Sequence, residues 1–277
     1  MPRTQIIMLG TGTPNADANR VSSGIAIAVD DQPYLIDCGH GIIQRVVQAH
    51  QTGKIKWDTS ALTHLFVTHL HADHTVGLPD LMFTPWIHDR QEKIQAYGPV
   101  ELQEMVDHLL LAYSENIREH STGHPIGNRE SYQVDVHAVT DGKCYEDELL
   151  SVYALKVDHA SLTAYSYKFV TPDRTIVISG DTKPIPKFVD WATGCDTLIH
   201  EVYSSEMFKI RPPEWQAYHS SAHTSTIELA HLANQIKPDL LILYHQLFWG
   251  ITPDELIAEI TATYTGSVVS ANDLDIF

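Results

Sequence analysis

The sequence predicts an α+β fold, with sheets packed together and covered by helices. Three observations carry this. Short β-rich apolar runs recur along the 277 residues. Helical periodicity fills only some of the gaps between them. No internal repeat, low-complexity tract or Gly/Ser-rich linker divides the chain, so one domain over residues 1–277 is expected.

The expected strands are residues 5–9, 25–29, 34–36, 65–68, 94–97, 134–139, 152–157, 165–170, 175–179, 197–200 and 240–244, where β-branched and aromatic residues concentrate. Helices are expected over 42–50, 102–118, 227–236 and 254–264. Ser225-Thr226-Ile227-Glu228 has the form of a capping box and starts the third helix at Ser225. Pro253 suits the first turn of the fourth.

Composition narrows the function classes. With 18 basic and 35 acidic residues the formal net charge is −17, and no lysine or arginine cluster stands out. Such a surface disfavours polyanions, although metal ions would supply local positive charge. No apolar run approaches the roughly 20 residues needed to cross a bilayer, so no membrane partner is expected. The apolar stretch at the start is too short for a signal peptide and reads as a first buried strand. Cys38, Cys144 and Cys195 lie far apart, which fits a cytoplasmic protein without a structural disulfide.

The most informative stretch is His69-Leu70-His71-Ala72-Asp73-His74, directly after the apolar run His64-Leu65-Phe66-Val67-Thr68. Imidazole with carboxylate suits zinc, and manganese or iron as well. Four candidate ligands exceed what one catalytic zinc uses while keeping a water, so two metals side by side are expected. Such a pair suits hydrolysis. Further ligands should stand at strand ends, which hold side chains rigidly. His159, Asp181 and His245 each follow an expected strand. Asp37 suits a supporting hydrogen bond to a ligand histidine, or a plain turn before Gly39. Gly10-Thr11-Gly12 does not make a dinucleotide loop, because Asn15 stands where the third glycine is needed.

His69-x-His71-x-Asp73-His74 resembles the signature of the metallo-β-lactamase superfamily. Gly10-Thr11-Gly12-Thr13-Pro14, Asp37-Cys38-Gly39, Tyr97-Gly98-Pro99, Ser179-Gly180-Asp181-Thr182, His200-Glu201 and His223-Thr224-Ser225 are similar, in order, to the ribonuclease Z and arylsulfatase branch. The resemblance implies a four-layer αβ/βα sandwich and two Zn²⁺, with Mn²⁺ or Fe²⁺ as alternatives. It implies that His69, His71 and His159 hold one metal, that Asp73, His74 and His245 hold the other, and that Asp181 bridges. A hydroxide between the metals would be the nucleophile, with Asp73, His223 and Glu201 in catalytic roles: His223 as proton donor and Glu201 as its partner. His40 departs from the glutamate that ribonuclease Z usually carries there. Diiron flavoproteins of this fold carry glutamate where His71 stands and an added domain for which there is no room.

The bond cut is less legible. The residues 160–180 leave no space for the tRNA-gripping arm of ribonuclease Z. A small-molecule phosphodiester or related ester, a sulfate ester included, is therefore the first expectation. A tRNA 3′-processing endoribonuclease and a lactone or thioester hydrolase are the alternatives, with a homodimer possible in this family. Leu78-Pro79-Asp80-Leu81 and Ala112-Tyr113 are similar to the arylsulfatase-like relatives. Phe83-Thr84-Pro85-Trp86-Ile87 reads as ordinary core before it reads as an aromatic wall. Residues 109–113 and 123–127 are candidate lid segments. A non-enzymatic metal-binding module is disfavoured, because no ligand position is missing.

Overall fold

A computed structural model describes residues 2–123 and 129–277. The candidate lid residues 124–127 lie outside the described residues. Two units emerge, each built on its own sheet: residues 5–10, 16–139 and 273–277 form one, and residues 1–4, 11–15 and 140–272 form the other.

The early unit carries a six-stranded sheet in simple order. Its strands are β1 (Thr4–Gly10), β2 (Gly24–Val29), β3 (Gln32–Ile36), β4 (His64–Phe66), β5 (Ile94–Gly98) and β6 (Val134–Ala138). β2 and β3 form an antiparallel pair, and β3 to β6 run parallel. β2 is buried along its whole length, as its unbroken apolar sequence requires. Helices Ile42–Gln51 and Leu78–Ile87 supply Ile42, Ile43, Val46, Leu81 and Trp86 to the core beneath the sheet. The fully buried Arg90 closes the second of these helices by donating to the carbonyls of Leu81 and Met82, and to Ser131. Phe83 and Trp86 are buried in this core, which is the ordinary-core expectation.

The late unit carries a seven-stranded sheet ordered β13-β12-β11-β10-β9-β8-β7. The strands are β7 (Gly142–Glu146), β8 (Ser151–His159), β9 (Leu162–Val170), β10 (Thr175–Ile178), β11 (Thr197–Tyr203), β12 (Leu240–Leu247) and β13 (Val268–Ser270). β7 to β10 are antiparallel neighbours and β10 to β13 are parallel. β8 and β10 both oppose β9, so β8, β10, β11 and β12 all point the same way. Their carboxyl ends therefore share one edge of the sheet. Helices Pro186–Ala192, Thr226–Ile236 and Pro253–Thr261 cover this sheet with Phe188, Leu229, Ala233, Leu256 and Ile260. Capping boxes start the last two at Ser225 and Thr252, as the sequence pattern requires for the first.

One expected helix is corrected. Residues 102–118 are not continuous: one helix, Leu102–Ala112, ends at Tyr113, and another, Ser114–Gly123, follows. The Tyr113 ring packs 4.7 Å from Phe83. That contact turns the chain where helical periodicity alone would continue it. Among the described residues no helix is long and apolar enough to cross a membrane.

Candidate metal centre

The early unit presents His69, His71, Asp73 and His74 where β4 ends. Asp37 follows β3, the parallel neighbour of β4, and its backbone is left-handed at φ 58°. Its buried carboxylate accepts from the Thr68 amide at 2.7 Å and the Thr68 hydroxyl at 2.8 Å. It also accepts from His74 Nδ1 at 2.7 Å. This leaves the His74 Nε2 lone pair facing Asp73, 3.6 Å from its Oδ2. A carboxylate that fixes an imidazole tautomer is the usual support of a metal-binding histidine. The Thr68 hydroxyl, having donated to Asp37, accepts from His69 Nδ1 at 3.0 Å. His69 Nε2 then meets His71 Nδ1 at 3.0 Å. His71 stands just before the short helix Ala72–Thr75 that carries Asp73 and His74. Gly39 is required below it: a Cβ there would lie 2.2 Å from the Asp73 carbonyl oxygen. The exposed His40 ring takes no part; its backbone carbonyl accepts from Ser22.

The late unit gathers His159, Asp181, Glu201 and His245 at the shared strand edge. His159 ends β8 and donates Nδ1–H to the Ala222 carbonyl at 2.7 Å, which turns Nε2 towards Asp181 Oδ2 at 4.0 Å. Asp181 follows β10 through Gly180, whose φ of 60° makes the turn. His245 occupies a bulge in β12: Tyr244 pairs with Glu201 and Gln246 with Val202, leaving residue 245 over. Its φ is 45°, and Nε2 lies 3.4 Å from Asp181 Oδ2. Bulges of this kind re-aim a side chain beside functional sites.

His223 closes helix Pro213–Ala222. Its Nδ1 is 3.3 Å from Glu201 Oε1 and 3.9 Å from Asp181 Oδ2. Glu201 Oε1 accepts from the amides of Thr182 at 3.2 Å and Thr224 at 3.1 Å. Burial, and then the neighbouring Asp181 charge, hold the Glu201 carboxyl well above the usual carboxylate range, opposed by His245 and the two amides. Thr68, Thr182, Thr224 and Ala222 act through backbone or hydroxyl groups, which no pattern of residue types announces.

His69 and His74 in the early unit and His159 in the late unit engage the protein through Nδ1 and face a carboxylate or a second imidazole with Nε2. Ligating atoms of Asp181, His223 and His245 lie within 4.8 Å of one another. Nitrogen and carboxylate oxygen in this arrangement fit a divalent cation such as zinc.

Comparison with known proteins agrees. Residues 4–247 match the family described as Anti-Pycsar protein Apyc1. The chain belongs to that family. Ribonuclease Z of Mycobacterium sp. (strain KMS) is 28% identical over 246 residues, covering 88% of this chain and 84% of the relative. The solved metallo-β-lactamase fold protein YhfI of Bacillus subtilis superposes with a TM-score of 0.76 at 18% identity, over 99% of this chain and 98% of YhfI. The short form of human tRNase Z gives 0.72 at 20% identity, over 99% and 98%. The fold is the metallo-β-lactamase fold, and this member of the Apyc1 family is a superfamily hydrolase near ribonuclease Z.

Proposed function

We propose that the two units work as one domain, and that the chain is a binuclear zinc-dependent hydrolase of small phosphodiesters or related esters. His69, His71 and His159 would hold one cation, Asp73, His74 and His245 the other, and Asp181 both. When bound, such a pair supplies an acidified water and neutralises charge at the centre under attack. The chain's own residues do the rest. Asp37 and the Ala222 carbonyl engage Nδ1 of His74 and His159, the tautomer in which Nε2 carries the lone pair a metal takes. Glu201, fixed by two amides, steadies His223 through Nδ1. His223 Nε2 is then the atom placed to protonate the departing oxygen.

The observation that carries this reading is the environment of Asp181. Three imidazoles approach one of its oxygens within 4.0 Å, and His223 Nδ1 also lies 3.3 Å from Glu201 Oε1, itself fixed by two amides. That support on Nδ1 favours the reading of His223 as the proton carrier. The test is hydrolysis of methyl 4-nitrophenyl phosphate and of methyl phenyl phosphate by zinc-loaded protein. His223→Ala should slow the phenyl ester by about 10²–10⁴-fold and the nitrophenyl ester less, with zinc content unchanged. Equal slowing of both would remove the proton-carrier role.

A second reading, tRNA 3′-processing, is favoured by the curated relatives named Ribonuclease Z. Against it, β8, β9 and β10 follow one another through short turns with no arm between them, and the net charge is −17. Cleavage of precursor tRNA by submicromolar enzyme would establish it.

A further inference from the structure

The late unit has a second concavity, at the end of its sheet away from the strand edge that gathers His159, Asp181 and His245. A cavity of about 570 Å³ lies there, with Tyr153, Leu155, Lys168, Thr175, Trp191 and Cys195 in its wall. Small-molecule sites commonly measure roughly 300–1,000 Å³. Tyr153 and Thr175 stand near the starts of β8 and β10, and Cys195 just before β11. Thr175 and Asp181 are separated by the length of β10, so the cavity and the candidate metal centre lie at opposite ends of that strand.

The lysine is the unusual member of this wall. Lys168 pairs with Tyr153 of β8 and Val177 of β10, so it shares their face of the sheet. That face is covered by helices, because Leu155 and Val177 belong to the core beneath them. Part of the reason for a cation there is local. Lys168 Nζ donates to the Trp191 carbonyl at 2.6 Å, in the last turn of helix Pro186–Ala192, and lies 4.7 Å from the centre of the Trp191 ring. A helix C-terminus favours a cation. An ammonium has three donors, and this contact uses one. Neighbouring lysines find carboxylates: Lys183 lies 3.5 Å from Asp158, and Lys187 lies 3.4 Å from Asp141. Lys168 pairs with none among the described residues, and burial holds its ammonium below the usual lysine range. The one titratable neighbour that favours its charge is Cys195, whose thiol burial pushes up to about 12, so it brings no negative charge at neutral pH.

We infer that this cavity binds a small monoanionic carboxylate with an apolar body, its carboxylate on Lys168 and its body against Leu155 and the Trp191 ring. A buried cation without a counter-ion calls for an anion. One cation, with Asp141 also in the wall and a net charge of −17 around it, favours one negative charge over two. The site lies wholly in the late unit and stands independently of the hydrolase reading.

The test titrates 4-phenylbutyrate and 4-phenylbutan-1-ol, which share a body and differ in charge, into the zinc-loaded full chain. Calorimetry gives the affinities and tryptophan fluorescence the location. The carboxylate should bind at least about tenfold more tightly, the worth of one charge-assisted hydrogen bond, and should quench fluorescence. Lys168→Met should bring the two affinities together. Trp191→Phe, which leaves the lysine and the backbone carbonyl in place, should keep the preference and lose most of the quench. Equal affinities in the unsubstituted protein, or no binding at millimolar concentration, overturn the site and leave Lys168 as a helix cap. A preference that survives Lys168→Met, or a quench that survives Trp191→Phe, puts the probe elsewhere, on the zinc for example, and overturns it as well. Should circular dichroism show that Lys168→Met does not fold, the Trp191→Phe titration decides alone.

Discussion

The two halves of the proposed site are built in opposite ways. The early unit concentrates His69, His71, Asp73 and His74 in six consecutive residues, and one carboxylate from outside, Asp37, sets their orientation through Thr68 and His74. The late unit draws His159, Asp181, Glu201 and His245 from four separate strands. There the register of the sheet and the carbonyls and amides of Ala222, Thr182 and Thr224 do the orienting. A local cluster is vulnerable at its one external support. A dispersed set is vulnerable at the group on which its members converge.

The largest test of that contrast is the point of convergence. Asp181→Asn should cut hydrolysis by at least about a thousandfold, since the charge proposed to be shared by both cations, worth several kcal/mol, is removed, and should release zinc as measured by atomic absorption. A fall below tenfold would mean that the late set does not converge on Asp181. Next comes the external support. Asp37→Ala should weaken zinc binding by about 10–100-fold in a competition titration, although Asp37 is not itself a proposed ligand. Unchanged affinity would show that the early cluster orients itself.

A smaller effect belongs to the late unit's fold. Burial pushes the His200 imidazole down to about 4. The unfolded chain takes up this proton below about pH 6.5, whereas the fold refuses it until about 4. The neutral ring's contribution is thus complete above pH 6.5 and declines as pH falls from 6.5 towards 4. Thermal unfolding over that window should show a flatter slope in His200→Phe than in the parent. The smallest effect is Ser225→Ala, which breaks the capping box directly after His223-Thr224 and should cost about 1 kcal/mol. Denaturant titration should find it without any change in the zinc affinity of the early set.

The same contrast explains what could be read from the residues. The early cluster is a pattern in six letters, and its strand is an apolar run, so both were visible. The late residues were visible only as strand ends, and the shared edge that unites them depends on β9 reversing the chain between β8 and β10. β7 was missed because Gly142–Glu146 is mostly polar and exposed, and β13 because Val268–Ser270 is three residues long. Helix Leu78–Ile87 is punctuated by Pro79 and Pro85, and Pro213–Ala222 buries only His219 and Ala222, so neither shows the apolar period of a helix. In the aromatic segment that drew attention in the sequence, residues 83–87, both rings, Phe83 and Trp86, are core, while Ile87 is exposed.

The extra residue in β12 has a consequence for anyone redesigning this protein. The surplus position sits between two pairs that keep their register with β11, Tyr244 with Glu201 and Gln246 with Val202, and takes one side chain out of the alternation. Excising residue 245 would make the ladder with β11 more regular, leave Gln246 and Leu247 opposite Val202 and Tyr203, and remove the one imidazole that the bulge aims. A design method that rewards ideal sheets would favour that edit, and the polished scaffold would come out sturdier and inert.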